Sequence, residues 1–274
     1  MPQAETIRGL ERGLQVLQVL QSHPISSLHD IYRATRISKP SLLRILNTLE
    51  RAGLVSRRLA DGHYRISMFN RSTRKRDRYD RVAEAAAPVL DRLCQRILWP
   101  SDLFVPAGDC MERRETSRPH TPFLIHHNDF KRVGVIVRAN WLQTGVGRAY
   151  LAFCPDQERD AIIRRLHTSD RPEDQLARDP KRLERIFAET RRRGYAIRDP
   201  GFTGGHFGRP PFDDGLAAIV VPLQDQKRVL GSINILFVKT AFTVEEFAAR
   251  HLADLRAAAS EIVGSLSDKS TRQR

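Results

Sequence analysis

The chain holds three cysteines in 274 residues, Cys94, Cys110 and Cys154. They are too few and too widely spaced for a disulfide framework or a paired zinc-ligand motif, and are expected as reduced thiols. No run approaches the roughly 18 consecutive apolar residues of a membrane helix, so no membrane partner is expected. The opening MPQAETIRGLERG lacks the apolar block of a secretory signal, which makes the cytoplasm the expected compartment. Catalytic signatures are also missing: there is no GxSxG elbow, no HExxH, no GxxxxGK[ST] phosphate loop and no cysteine in a nucleophile context. Neither an enzyme nor a cofactor is expected. His126, His127 and Asp129 have metal-ligating chemistry, but adjacent histidines on a strand point to opposite faces, so no metal site is expected there.

Acidic residues are in the minority. Lys and Arg number 46 against 32 Asp and Glu, a formal charge of +14, which favours a polyanionic partner through counterion release and steering. Residues 1–80 carry 15 basic against 7 acidic side chains, so the excess is densest at the N-terminal end. An arginine-rich composition throughout is the other source of such a charge.

Apolar residues at Ile7, Leu10, Leu14, Leu17 and Leu20 fall three and four apart, predicting a helix of about four turns that Pro24 ends. Ser27 with Asp30 is an N-terminal capping pattern for a short helix carrying Leu28, Ile31 and Ala34 inward. After a break at Arg36-Ile37, Ser38 is placed to cap a third helix. Pro40 fits its first turn, Leu42, Ile45, Leu46 and Leu49 form its buried stripe, and Gly53 stops it. Two short helices joined by a tight turn have the spacing of a helix-turn-helix. Removing the buried stripe leaves Lys39, Ser41, Arg44, Asn47, Thr48 and Arg51 for solvent, a donor set suited to phosphates and major-groove base edges. Leu54 to Arg58, a turn at Asp61-Gly62 and His63 to Ile66 read as a β-hairpin, the wing, with Arg57, Arg58 and Arg65 placed to meet the DNA backbone or minor groove. The other reading of these helices is a protein-contact module with a solvated arginine face.

Residues 71–81, RSTRKRDRYDR, read as a solvated linker or as the exposed first turns of a helix carrying Val82, Ala85, Ala86, Val89, Leu90, Leu93 and Ile97. Beyond residue 100 the mixed order of elements predicts an α+β domain. Its strands are expected at 102–106, 110–115, 134–138, 216–222 and 229–239, and its helices at 146–153, 156–166, 178–193 and 243–266. The Gly145 and Gly147 loop entering a helix suits either a carboxylate at the helix N-terminus or close backbone packing. The segment 201–215 reads as a pocket-side loop or an insertion.

The sequence resembles the IclR family of bacterial regulators over almost its whole length. The carrying stretches are RGLERGL with SKPSLLRILNTLERAGLVSRR, then LQTGVGRAYLAFCP, RGYA, AAIVVPL and VLGSINI. The resemblance implies an N-terminal winged helix-turn-helix over 1–70, a basic linker and connecting helix over 71–98, and an effector domain over 99–274 with a twisted antiparallel sheet flanked by helices. It implies double-stranded operator DNA, a small carboxylic-acid effector and a homo-oligomer, dimer or dimer of dimers, as partners. Carried over by position, the pocket involves the backbone amides of Gly145 and Val146, Ala218 on one strand, and Asn234 and Leu236 on another. Asn234 and Leu236 replace small hydroxyl residues of the founding type, which implies a larger, less polar ligand than glyoxylate or pyruvate. VLGSINILFVKTAFT and AYLAFCPDQ are most similar to the branch that activates catabolism of hydroxyphenylpropionates and related aromatic acids. The 201–215 loop departs from the family pattern, so no role is assigned to Asp199, Asp213 or Asp214. The rival reading, an enzyme acting on small acids fused to a nucleic-acid module, calls for a convergent acid, base or nucleophile, and none stands out.

Overall fold

The structure is a computed structural model and describes residues 7–23, 26–57, 62–66, 78–119, 138–202, 204, 213–226 and 228–271. These form two compact units, one reaching to residue 66 and one starting at residue 78.

In the first unit, α1 (Arg8–Ser22), α2 (Leu28–Thr35) and α3 (Lys39–Arg51) are followed by the antiparallel strands β1 (Val55–Arg57) and β2 (Tyr64–Ile66). Ser27 and Asp30 close the full capping box at the start of α2, each side chain bonding the other's backbone amide. Arg36 ends α2 in the left-handed region at φ 57°, making the turn into α3. Ser38 occupies the N-cap of α3, but its hydroxyl bonds Ser41 Oγ (3.0 Å) and makes no cap to the backbone, contrary to expectation. Gly53 takes φ 72° just past α3, which lets the Gly53 and Leu54 amides reach back to Glu50 O and Leu49 O.

The core is Val16, Leu20, Ile31, Ile37, Leu42, Leu46, Leu49, Val55 and Tyr64. Two sequence expectations are corrected by it. Only the C-terminal half of α1 meets α2 and α3, so Val16 and Leu20 are buried while Ile7, Leu10 and Leu14 remain 72%, 59% and 50% exposed. Ala34 is exposed too; α2 is only eight residues long, and the next inward side chain is Ile37, beyond the turn.

The second unit is a five-stranded antiparallel sheet in the order β5-β4-β3-β7-β6. The strands are β3 (Ser101–Ala107), β4 (Cys110–Ser117), β5 (Arg138–Ala139), β6 (Leu216–Asp225) and β7 (Arg228–Val238). One face packs against α4 (Arg78–Ile97) and α8 (Val244–Thr271), burying Val89, Leu90, Leu93, Ile219, Ile233, Ile235, Phe237, Phe247 and Leu255. The other carries α5 (Gly145–Phe153), α6 (Asp156–His167) and α7 (Pro180–Arg193), with Val146, Tyr150, Ile162, Leu183 and Phe187 in the core. Residues 172–178 form a separate 3-10 helix, so the helix expected over 178–193 starts at Pro180.

Helix α4 carries the expected apolar side from Val82 to Ile97 into the core, and its first turn is buried in part as well. Tyr79, Val82, Ala86, Leu90 and Leu93 are buried along it, and Arg114 on β4 pairs with Asp80 in its first turn at 3.3 Å. Residues 71–77, most of the strand expected at 134–138, and His126, His127 and Asp129 lie outside the described residues. Among the described residues, no helix is long and apolar enough to cross a membrane.

Candidate functional site

Two places carry the predicted chemistry, one in each unit. Helix α3 is anchored by Leu42, Leu46 and Leu49, so its orientation is fixed by the core, and the opposite side holds Pro40, Arg44, Asn47 and Arg51 on one strip. Lys39, Arg44, Asn47, Thr48 and Arg51 are all exposed, and Ser41 is half-buried. The Thr48 hydroxyl donates to Arg44 O (2.9 Å), so it is engaged with its own helix. The Lys39 ammonium lies 6.0 Å from the centre of the Tyr32 ring. Arg44 and Arg51 make no ion pair among the described residues.

In the wing, Arg57 Nε donates to Gly62 O (3.1 Å), and its guanidinium lies 5.8 Å from the Tyr64 ring centre. The Arg57 side chain is exposed yet tied to the hairpin it belongs to. Arg65 is half-buried on β2, and Arg58 lies outside the described residues. The sequence reading missed Leu43, 47% exposed beside this strip. Its apolar character in an otherwise polar exposed face was the available signal.

In the second unit, Thr144 caps α5 by accepting from the Gly147 amide (3.3 Å) while donating to Asn140 O (2.6 Å). A Cβ at Gly147 would lie 2.2 Å from Trp141 O, and one at Gly145 would lie 2.7 Å from Val220 Cγ2. Close packing therefore accounts for both glycines. The amides of Gly145 and Val146 are a separate matter, for they donate to no described residue.

Beneath this first turn, Ser232 Oγ donates to Val146 O (3.0 Å). Ala218 stands opposite Leu236, and Val220 opposite Asn234. Ala218, Val220 and Leu236 pack with Val146 and Phe104 in one apolar cluster. The five residues named from the sequence thus meet at one place, two on the helix and three on the sheet face below. Phe104 and Asp102 of β3 border it and were not foreseen. Asp102 pairs in register with Asn234, and its backbone amide donates to Asn234 Oδ1 (2.9 Å). The signal in the sequence was an acid at the head of an apolar strand, Asp102-Leu103-Phe104-Val105.

The chain from Tyr195 to Phe202 passes beside this turn. Ala196 bridges Val220 by two backbone bonds (2.8 and 3.0 Å), and the Asp199 amide donates to Gln143 O (2.8 Å). The Asp199 carboxylate pairs with the buried Arg148 of α5 and accepts from the Gly201 amide (2.9 Å). Burial pushes Asp199 up, but the Gly201 amide and the Arg148 and Arg182 guanidiniums outweigh it and hold the carboxyl below its usual range. Arg198 grips both oxygens of Asp214 at 2.8 Å, and Asp213 pairs with Lys239 at 2.7 Å.

The chemistry available at this place is binding. Burial raises all three thiols, Cys154 to about 12 with help from Glu158, so they are poor nucleophiles at neutral pH. No group of three or more His, Cys, Asp or Glu residues suited to a metal ion occurs among the described residues.

Comparison with known proteins follows the same division. The sequence profile of the IclR helix-turn-helix domain matches residues 9–59, and that of the bacterial transcriptional regulator IclR C-terminal domain matches residues 137–263. A curated relative named "Probable transcriptional regulator SauR", from Cupriavidus necator, is 24% identical over 261 residues, covering 92% of this chain and 94% of that protein. The crystal structure of the Thermotoga maritima IclR matches with a TM-score of 0.54 at 19% identity, over 94% of this chain and 98% of that one. An IclR homolog from Microbacterium hydrocarbonoxydans, complexed with 4-hydroxybenzoate, matches with a TM-score of 0.51 at 19% identity, over 95% and 99%. At these identities the structures share the fold.

Proposed function

This chain belongs to the IclR family of transcriptional regulators, and from that premise we propose that it controls a catabolic operon in response to a small aromatic carboxylic acid. The family is one of regulators and not of enzymes, with a DNA-binding and an effector-binding domain. In our reading the DNA reader spans residues 1–70, the connector 71–98 and the sensor 99–274. Lys39, Ser41, Arg44 and Asn47 reach base edges, Arg51, Arg57, Arg58 and Arg65 hold phosphates, and Thr48, whose hydroxyl hydrogen goes to Arg44 O, offers the DNA an acceptor. The observation that carries the reading is the outward strip of α3, whose cations have no ion pair among the described residues and whose orientation is set by three buried leucines.

The effector carboxylate binds the amides of Gly145 and Val146, over a floor of Ala218, Asn234 and Leu236. The apolar cluster around Leu236 and Phe104 favours a ring, and the 4-hydroxybenzoate held by the Microbacterium homolog is in keeping with that class. A second copy of the chain supplies the other half of a two-fold site, with the two α3 helices about 34 Å apart on one face of DNA. The exposed Ile7, Leu10 and Leu14 offer that copy an apolar seat. Acid binding favours one arrangement of the oligomer, and a coupling of about 1–3 kcal/mol suffices to change operator affinity several-fold or more.

Fluorescence-anisotropy titration of the full chain against duplexes from the upstream regions of ring-degradation genes, with and without aromatic acids, tests this. A duplex preference that shifts with one acid is expected. Equal binding of all duplexes, indifferent to every acid, would refute the proposal.

A further inference from the structure

Asp102 is only 2% exposed, and its surroundings crowd one of its two oxygens. Thr116 Oγ1 (2.6 Å) and Arg118 Nη2 (2.8 Å) both donate to Oδ1, and Arg113 Nη1 lies 3.7 Å from the same atom. Oδ2 accepts no hydrogen bond from any described residue. Burial pushes the carboxyl up, but Arg118, Arg113 and Thr116 more than offset this, so the group stays ionised at neutral pH. A charged oxygen on a side chain this buried, with no protein donor, is an acceptor that a ligand entering beside it can use.

Asn234, 4% exposed, stands beside it in the strand register. Its Oδ1 is committed to the Asp102 amide, and its Nδ2 donates to no described residue. Both side chains lie on the α5 side of the sheet: Asp102 alternates with Phe104 and Asn234 with Ser232 and Leu236. Phe104 and Leu236 pack with Val146, and Ser232 bonds Val146 O. An unengaged acceptor and an unengaged donor, both more than nine-tenths buried, therefore sit together below the first turn of α5.

We infer that Asp102 and Asn234 form a recognition pair for a hydroxyl group at the end of the effector opposite its carboxylate, an inference that rests on the effector reading given above. A hydroxyl donates to Asp102 Oδ2 and accepts from Asn234 Nδ2 at once. An ammonium can satisfy only Asp102, a second carboxylate is repelled by it, and a methyl or hydrogen leaves both groups unmatched. Asn234 lies two residues along β7 from Ser232, about 7 Å, a span that a benzene ring with para substituents bridges. Sites built to bond a hydroxyl reject analogues lacking it, because their buried polar groups are left unpaired.

Isothermal titration calorimetry of the full chain decides the matter, using 4-hydroxybenzoate, 4-methoxybenzoate and benzoate, and the corresponding three 3-arylpropionates. In one series the hydroxylated acid is expected to bind about 10- to 100-fold more tightly than its methoxy and unsubstituted forms. Asp102→Asn should remove most of that preference, bringing the three members of the series to within a few-fold of one another. Should that variant fail to fold, the ligand series on the unaltered protein still gives the answer. Equal affinity for all three members of each series that binds would overturn the hydroxyl pair while leaving the carboxylate site standing. No binding by any of the six would overturn both.

Discussion

Arg44 projects from a helix whose opposite side is locked by Leu42, Leu46 and Leu49, so its guanidinium starts from a fixed origin. A planar fork held that way suits the O6 and N7 atoms of guanine, whereas Arg57, already bonded to Gly62 O, is placed for backbone phosphate. Arg44→Ala is therefore expected to cost about 1–3 kcal/mol on a preferred duplex and to flatten the ranking of sequences. Arg57→Ala should weaken all duplexes alike. Mobility-shift titrations over a panel of base-substituted sites separate the two patterns.

Gly147 is a packing residue whose substitution has a different readout. The Cβ of alanine would meet Trp141 O, so Gly147→Ala should lower the thermal midpoint of the second unit by an amount corresponding to about 1–3 kcal/mol, read by near-ultraviolet circular dichroism. The α3 leucines were legible in the sequence because a helical period is a local property. Asp102 was not, because its meaning depends on pairing with Asn234, 132 positions away.

At the level of elements, α1 shows what periodicity can and cannot say. The spacing of Ile7, Leu10 and Leu14 identifies an apolar side, but α1 outruns α2 and α3, and these three side chains stay exposed. If that strip seats a second copy, Leu10→Glu with Leu14→Glu should shift the chain towards monomer in sedimentation velocity and leave the helix-turn-helix folded by circular dichroism. An unchanged oligomeric state would rule out this seat. The apolar side of α4 from Val82 to Ile97 was legible in its period, but its first turn was not: the charged beginning suggested solvent, yet Tyr79 is buried and Arg114 compensates Asp80.

The Tyr195–Phe202 segment is held by Asp199, a carboxylate held below its usual pKa. Such a group contributes stability fully above the ordinary aspartate range, near pH 4, and loses it as pH falls through its lowered folded value. Acid titration below about pH 4 should thus loosen this segment, and Asp199→Asn should make the second unit less stable at pH 7 and less sensitive between pH 4 and pH 2. Urea melts at a series of pH values measure both effects.

For the molecule as a whole, charge and division into units set the behaviour. With a formal charge of +14, the chain should bind duplex DNA with a steep salt dependence, and each phosphate-contacting cation removed should lower the slope of log K against log salt by about 1. Because the two units have separate cores, an effector that binds one stabilises that one by mass action. Differential scanning calorimetry with a binding acid should raise the transition of the sheet-bearing unit and leave that of the three-helix unit in place.

The seating of α4 has a practical corollary for anyone wishing to isolate the sensor. A fragment begun at residue 99 would strip α4 from above β3 and β4, take Leu90 and Leu93 out of the core they share with α8, and present that part of a greasy sheet to water. Such a piece would clump on expression. One begun a few residues ahead of Arg78 would keep its own cover and stay in solution.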